Sequence, residues 1–189
     1  METLFDIPIF SFKDSEAWEV WLAQNYADET GVWLKIAKKD SGVTSITYAE
    51  ALDVCLCYGW IDGQRRSYDG THFLQKYTPR RKKSLWSKVN IGKVEVLEAA
   101  GRMKKPGQKV IDEAKADGRW ERAYESQANA TVPPDLESAF ALSPGLKEYF
   151  ESLSSVDRYH ILFQLMTAST LKLRETRLKK LLNDLESKR

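Results

Sequence analysis

At 189 residues the chain has room for one domain with a full core, or one domain with a helical extension. An apolar fraction of 42% beside 30% charged residues excludes a disordered chain, and no stretch approaches the roughly 18 apolar residues that a membrane helix needs. The net charge of +2 implies no partner by itself, but its distribution is uneven: Gln64 to Lys93 holds nine basic residues against the single acid Asp69, which leaves an acidic remainder.

In chain order, the N-terminal stretch has acids at Glu2 and Asp6 and no apolar run of signal length, so a cytoplasmic location and no membrane insertion are expected. Ile7-Pro8-Ile9-Phe10 predicts a short edge strand, because Pro8 cannot donate to a ladder. Asp14 or Ser15 is placed to cap a helix with Trp18, Trp21, Leu22 and Tyr26 on one face. After Thr30-Gly31 comes a buried strand, Val32 to Ala37, and then a turn at Asp40-Ser41-Gly42. Thr47 and Glu50 have capping-box spacing, and the helix behind them groups Tyr48, Leu52, Cys55 and Leu56 before Gly59 stops it. Ile61–Tyr68 and His72–Tyr77 flank Asp69-Gly70, a hairpin signal.

A helix from about Leu85 to Ala100 is expected to turn Leu85, Trp86, Val89, Val96, Leu97 and Ala100 inward, with Gly101 closing it. Lys105-Pro106 starts another, ended by Gly118. Residues 124–134 are polar and Pro-terminated, a linker composition. Three short helices follow, and then a basic last helix with Leu171, Leu178, Leu182 and Leu185 on its buried side. The expected class is therefore α+β: a small antiparallel sheet packed with helices over 1–123, a linker over 124–134, and a helical C-terminal region over 135–189 packed on that core.

No Gly-rich phosphate loop, no Cys-x-x-Cys or His-x-x-x-His pair and no nucleophile elbow occurs, so no cofactor, metal or catalytic residue is assigned. Cys55 and Cys57 lie two apart on a helix, poor geometry for a shared metal, and are expected to be buried thiols. The dense segment is Trp60 to Asn90. Strand alternation puts Trp60, Asp62, Gln64 and Arg66 on one face and Arg65 on the other. Ser84, just ahead of a helix, could cap it or help bind an anion at the positive helix end, with Arg80 and Arg81 supplying guanidinium forks. Trp60, Asp62, Arg65, Arg80, Ser84, Trp86 and Asn90 are the candidate ligand-binding set. The same residues also admit a purely structural role, with the indoles in the core and Ser84 as a cap.

At these residues the chain resembles the bacterial YdeI/OmpD-associated, or bacteriocin-protection, family. The resemblance rests on Gly59-Trp60-Ile61-Asp62-Gly63, Thr78-Pro79-Arg80, Ser84-x-Trp86-Ser87-x-x-Asn90, Gly101-Arg102-Met103, Ala116-Asp117-Gly118-Arg119-Trp120 and Glu175-Thr176-Arg177. It implies a link to antimicrobial-peptide or stress resistance and brings no catalytic residues. The chain departs from the family pattern where Ser169 to Arg174 intervenes ahead of Glu175.

The leading expectation is a binding protein for an anionic small molecule. An enzyme on a small phosphorylated or acidic metabolite, using Asp62 or His72 as acid or base, and a protein adaptor acting through the helical C-terminus are the alternatives. Nucleic acid is disfavoured, since the basic residues fall mostly in one run with no reader fold around them. The residues do not specify an oligomeric state.

Overall fold

The structure is a computed structural model that describes residues 2–189. Among them are a five-stranded sheet and eight helices, and the class is α+β with a helical C-terminal region. The chain forms two compact units. The first runs to Ser84 and includes Gly92–Asp117; the second comprises Leu85–Ile91 and Gly118–Arg189. Among the described residues no helix is long and apolar enough to cross a membrane.

In the first unit the strands are β1 (Thr3–Leu4), β2 (Ile7–Phe10), β3 (Val32–Ala37), β4 (Trp60–Ser67) and β5 (His72–Pro79), in the order β1-β2-β3-β5-β4. Neighbours are antiparallel except β2 and β3, which run parallel with Ile9 opposite Trp33. Pro8 does not sit on the sheet edge as expected. The chain doubles back through Phe5 and Asp6, both at positive φ, and lays β1 along β2.

Three helices belong wholly to this unit: α1 (Ser15–Asn25), α2 (Tyr48–Cys57) and α4 (Lys105–Ala116), numbered with α3 (Lys88–Ala99) between them. Asp14 caps α1, its carboxylate accepting from the Ala17 amide at 2.9 Å. Thr47 and Glu50 form the capping box of α2. Trp18, Leu22, Leu34, Ile36, Leu52, Cys55, Leu56, Trp60 and Tyr77 are all at most 3% exposed and make the core.

β4 carries a bulge between Asp62 and Arg65, where Asp62 pairs with Tyr77 and Arg65 with Gln75. Two β4 residues there oppose one on β5, so the side-chain alternation inverts downstream. The buried Gln75 amide serves the bulge, donating to the carbonyls of Gly63 at 2.9 Å and Gln64 at 3.3 Å. An apolar residue could not do this without stranding those acceptors.

In the second unit α5 (Pro134–Leu142), α6 (Pro144–Ser152), α7 (Ser155–Met166) and α8 (Leu171–Lys188) bury Leu136, Phe140, Leu146, Phe150, Leu162, Leu165, Leu181 and Leu185 together. Leu178 and Leu182 pack against them as expected, but Leu171, at the first position of α8, is 80% exposed. Arginines of α8 hold the ends of its neighbours. Arg174 grips Asp135 through two nitrogens at 2.7 and 2.8 Å and donates to the Leu165 carbonyl; Arg177 reaches the Gln164 carbonyl at 2.6 Å. Both carbonyls lie in the last turn of α7, where cations are favoured. The bidentate Arg174 contact holds the Asp135 carboxyl below its ordinary value. A depressed carboxyl stabilises the folded state above its unfolded value near 4, and that contribution is lost as pH falls through the folded value. Arg174→Gln should therefore cost about 1–2 kcal/mol at pH 7, a figure discounted for the part-exposed pair. The gap between variant and parent should narrow toward pH 3, which urea unfolding at the two pH values measures.

Helix α3 starts at Lys88, three residues later than expected. Ser87, not Ser84, is its cap, accepting from the Asn90 amide at 3.2 Å. The Lys88 amide goes to the Tyr124 carbonyl, and the Tyr124 amide to that of Trp86, in a short bridge. Of the residues expected to point inward, Trp86 and Leu97 are buried, but Leu85, Val89 and Val96 are 43%, 52% and 69% exposed and Ala100 is exposed too; Val94 is buried in their place.

Candidate functional site

Both indoles of the candidate set are core. Trp60 is 1% exposed and donates its ring N–H to the Tyr26 carbonyl at 3.2 Å. Trp86, also 1% exposed, packs against Trp120 with ring centroids 4.9 Å apart. Trp60, Asp62, Arg65, Arg80 and Ser84 belong to the first unit; Trp86 and Asn90 belong to the second. Arg80 is half-buried and its amide donates to the Gly59 carbonyl at 2.9 Å, while the Ser84 hydroxyl accepts from the Arg81 amide and closes a tight turn. At the start of α3 the Lys88 and Asn90 amides already serve Tyr124 and Ser87, so two of the donors a helix end would offer an anion are engaged within the protein.

Asp62 and Arg65 do come together. The bulge puts Arg65 on the Asp62 side of the sheet, correcting the opposite-face expectation. There Asp62 accepts a 2.7 Å hydrogen bond from the Tyr48 hydroxyl of α2. Burial, then this bond to a carboxylate, pushes the Tyr48 phenol well above its usual value. Tyr77 beneath is pushed up more strongly, by burial first. The Arg65 guanidinium carbon lies over the Phe73 ring, 3.6 Å from its centroid.

Beside this cluster is a cleft of about 430 Å³ between the segment joining β3 to α2 and the start of β5. Its cations are Lys38, Lys39 and Arg65; its hydroxyls come from Ser45, Thr47 and Tyr48; Ile36, Ile46 and Phe73 form an apolar floor, and Asp40 is the one acid. Lys38 is held by the hairpin turn, its ammonium donating to the Asp69 carbonyl at 2.6 Å. The Ser45 hydroxyl accepts from the Ala37 amide and donates to the Ile46 carbonyl. Thr47 is committed to Glu50, whose carboxylate occupies the positive end of α2. The cations are thus the groups that could receive an anion. Lys38, Lys39, Ser45 and Tyr48 were missed from the sequence, where Tyr48 reads as one more residue of the α2 core stripe.

Asp62 and His72 do not share a site. Asp62 is opposite Tyr77, and His72, five residues from Tyr77 along β5, points to the other face of the sheet. His72 instead contacts the Asp69 carboxylate at the hairpin turn. Burial pushes the Cys57 thiol to about 11 and the Cys55 thiol well above its ordinary value, so neither is a ready thiolate. Among the described residues no group of His, Cys, Asp and Glu could hold a metal ion.

Comparison with known families divides the chain. Residues 10–110, just over half of it, match a family described as a domain of unknown function, DUF8412. Residues 129–188 match the family described as bacteriocin-protection, YdeI or OmpD-associated. The expected resemblance to the latter is thus borne out over the C-terminal helices, where the Glu175-Thr176-Arg177 block lies; the blocks from Gly59 to Met103 fall in the other match. No curated protein and no solved structure matches the chain.

Proposed function

We propose that this chain, which belongs to the DUF8412 family and carries a YdeI/OmpD-associated segment behind that domain, binds a small anionic molecule in the cleft beside Arg65. The observation that carries the proposal is the convergence of Lys38, Lys39 and Arg65 on one cleft with an apolar floor. Its size falls in the ordinary range for small-molecule sites, which are largely apolar with a few fixed polar groups. Arg65 is such a group: with its guanidinium held over Phe73, less freedom is lost when its fork meets a carboxylate or phosphate. The capping box keeps the α2 dipole occupied by Glu50, so selectivity for the anion comes from side chains rather than from the helix end.

Thermal unfolding against inorganic phosphate, sugar phosphates, nucleotides and small carboxylates tests this. A true ligand at a hundredfold excess over its dissociation constant adds about 2.7 kcal/mol. Arg65→Ala should weaken that ligand at least about tenfold, and Arg65→Lys, which keeps the charge and loses the fork, should recover only part. Absence of stabilisation by every class of anion, or equal binding by Arg65→Ala, sinks the proposal.

A further inference from the structure

A second cavity, of about 300 Å³, lies within the helical unit and is lined from α6, α7 and α8. On α7 the lining residues are Asp157, His160, Ile161 and Gln164; on α8 they are Leu181, Asp184, Leu185 and Lys188. Each set follows the i, i+3, i+4, i+7 spacing of a single helix face, so two helices present matching stripes to one hollow. The floor is apolar: Leu181 and Leu185 are buried, and Leu153 and Ile161 half-buried. The rim is charged and exposed, with two carboxylates, Asp157 and Asp184, and one ammonium, Lys188. Asp157 has a further partner, accepting from the Ser154 hydroxyl at 2.6 Å.

We infer that this cavity is a site for a small zwitterion with an apolar side chain, a free α-amino acid of the leucine or phenylalanine type. A purely anionic ligand would meet two like charges at the rim, and a purely cationic one would meet Lys188. A zwitterion uses all three. Asp184 and Lys188 are four residues apart on α8, so their side chains start about 5–6 Å apart. That separation lets one ligand's adjacent ammonium and carboxylate reach one partner each, with Asp157 as a second acceptor for the ammonium. The leucine and isoleucine floor takes the ligand side chain, and a cavity at the small end of the binding-site range suits a ligand of that size. This site shares no residue with the anion cleft, so either can fail without the other.

The test is an amide-resolved NMR titration of the full chain with L-phenylalanine, and in parallel with phenethylamine and 3-phenylpropionate, which keep the ring and one charge each. Saturable shifts should appear over 157–164 and 181–188 with the amino acid, and either single-charge analogue should bind at least about tenfold more weakly, the factor that one lost charged contact of about 1.4 kcal/mol produces. Asp184→Asn and Lys188→Met should each weaken binding by a similar factor while thermal unfolding stays unchanged, because both side chains are exposed. No saturable shift up to the solubility of the amino acid, equal binding of an analogue, unchanged binding by both variants, or shifts confined to other residues would overturn the assignment.

Discussion

Trp60→Ala is expected to destabilise the first unit by about 3–5 kcal/mol, the usual cost of removing a buried aromatic side chain. The indole is 1% exposed and fills space at the start of β4, and its ring N–H satisfies the Tyr26 carbonyl at the C-terminal end of α1. The substitution leaves a cavity and strands an acceptor, and both effects have the same sign. For a unit of this size each kcal/mol lowers the melting temperature by roughly 4–8 °C, so the loss is readily seen by calorimetry. Trp60→Phe should recover most of the packing and none of the hydrogen bond. A Trp60→Ala protein that unfolds like its parent but no longer binds an anion would show that the indole is a ligand contact rather than core.

Gly107→Ala should cost nearly as much, about 3 kcal/mol, although it adds only one methyl. Gly107 sits in the first turn of α4 against the end of α2, where a Cβ would run into the Cys57 carbonyl and stand 2.9 Å from that of Leu56. Both obstacles are backbone, which cannot swing aside as a side-chain tip can. The approach also has a purpose, since the Lys104 amide ahead of α4 donates to the Cys57 carbonyl at 3.2 Å and satisfies a group that the end of α2 leaves open. Moving α4 outward to admit the methyl breaks that bond and loosens Ile111 and Ala114, both fully buried. Overpacking of this kind typically costs 1–3 kcal/mol, and the rigidity of the obstacle puts this position at the upper end. Denaturant unfolding of the purified variant measures it. A cost below about 1 kcal/mol would mean that the two helices are not held at this distance.

Much of the local structure was legible from residue order. The Thr47–Glu50 capping box, the Asp69-Gly70 turn and the buried run from Val32 to Ala37 all stand where their residues predict. Each depends on contacts between near neighbours, or on a pattern that one burial environment produces. The α3 boundary was not legible in the same way. Ser84 and Ser87 are equally good caps by residue type, and the bridge between Ser87 and Tyr124 favours the later one. That contact joins residues 37 apart. Leu85 is left outside the helix, and it and Val89 face solvent.

The candidate site shows the same division more sharply. Gly63 inside a strand pattern is a recognised sign of a bulge, but its presence alone does not say on which side of it the pairing slips. Strict alternation therefore separated Arg65 from Asp62, and only the register against β5 reunites them. Tyr48 belongs to a helical core stripe by spacing, yet the packing of α2 on the sheet carries its hydroxyl to Asp62. Lys38 and Lys39 stand beside a turn with nothing local to mark them, and they line a cleft because the hairpin returns across it.

Composition, periodicity and caps thus determined by themselves that this is an α+β protein with a small sheet and a helical C-terminal region, because those signals act over a few residues. Which face Arg65 occupies, which serine starts α3, and which cations share a cleft were decided only in the tertiary structure. These depend on strand register and on contacts between segments far apart in the chain, where a shift of one residue reverses the side to which a group points.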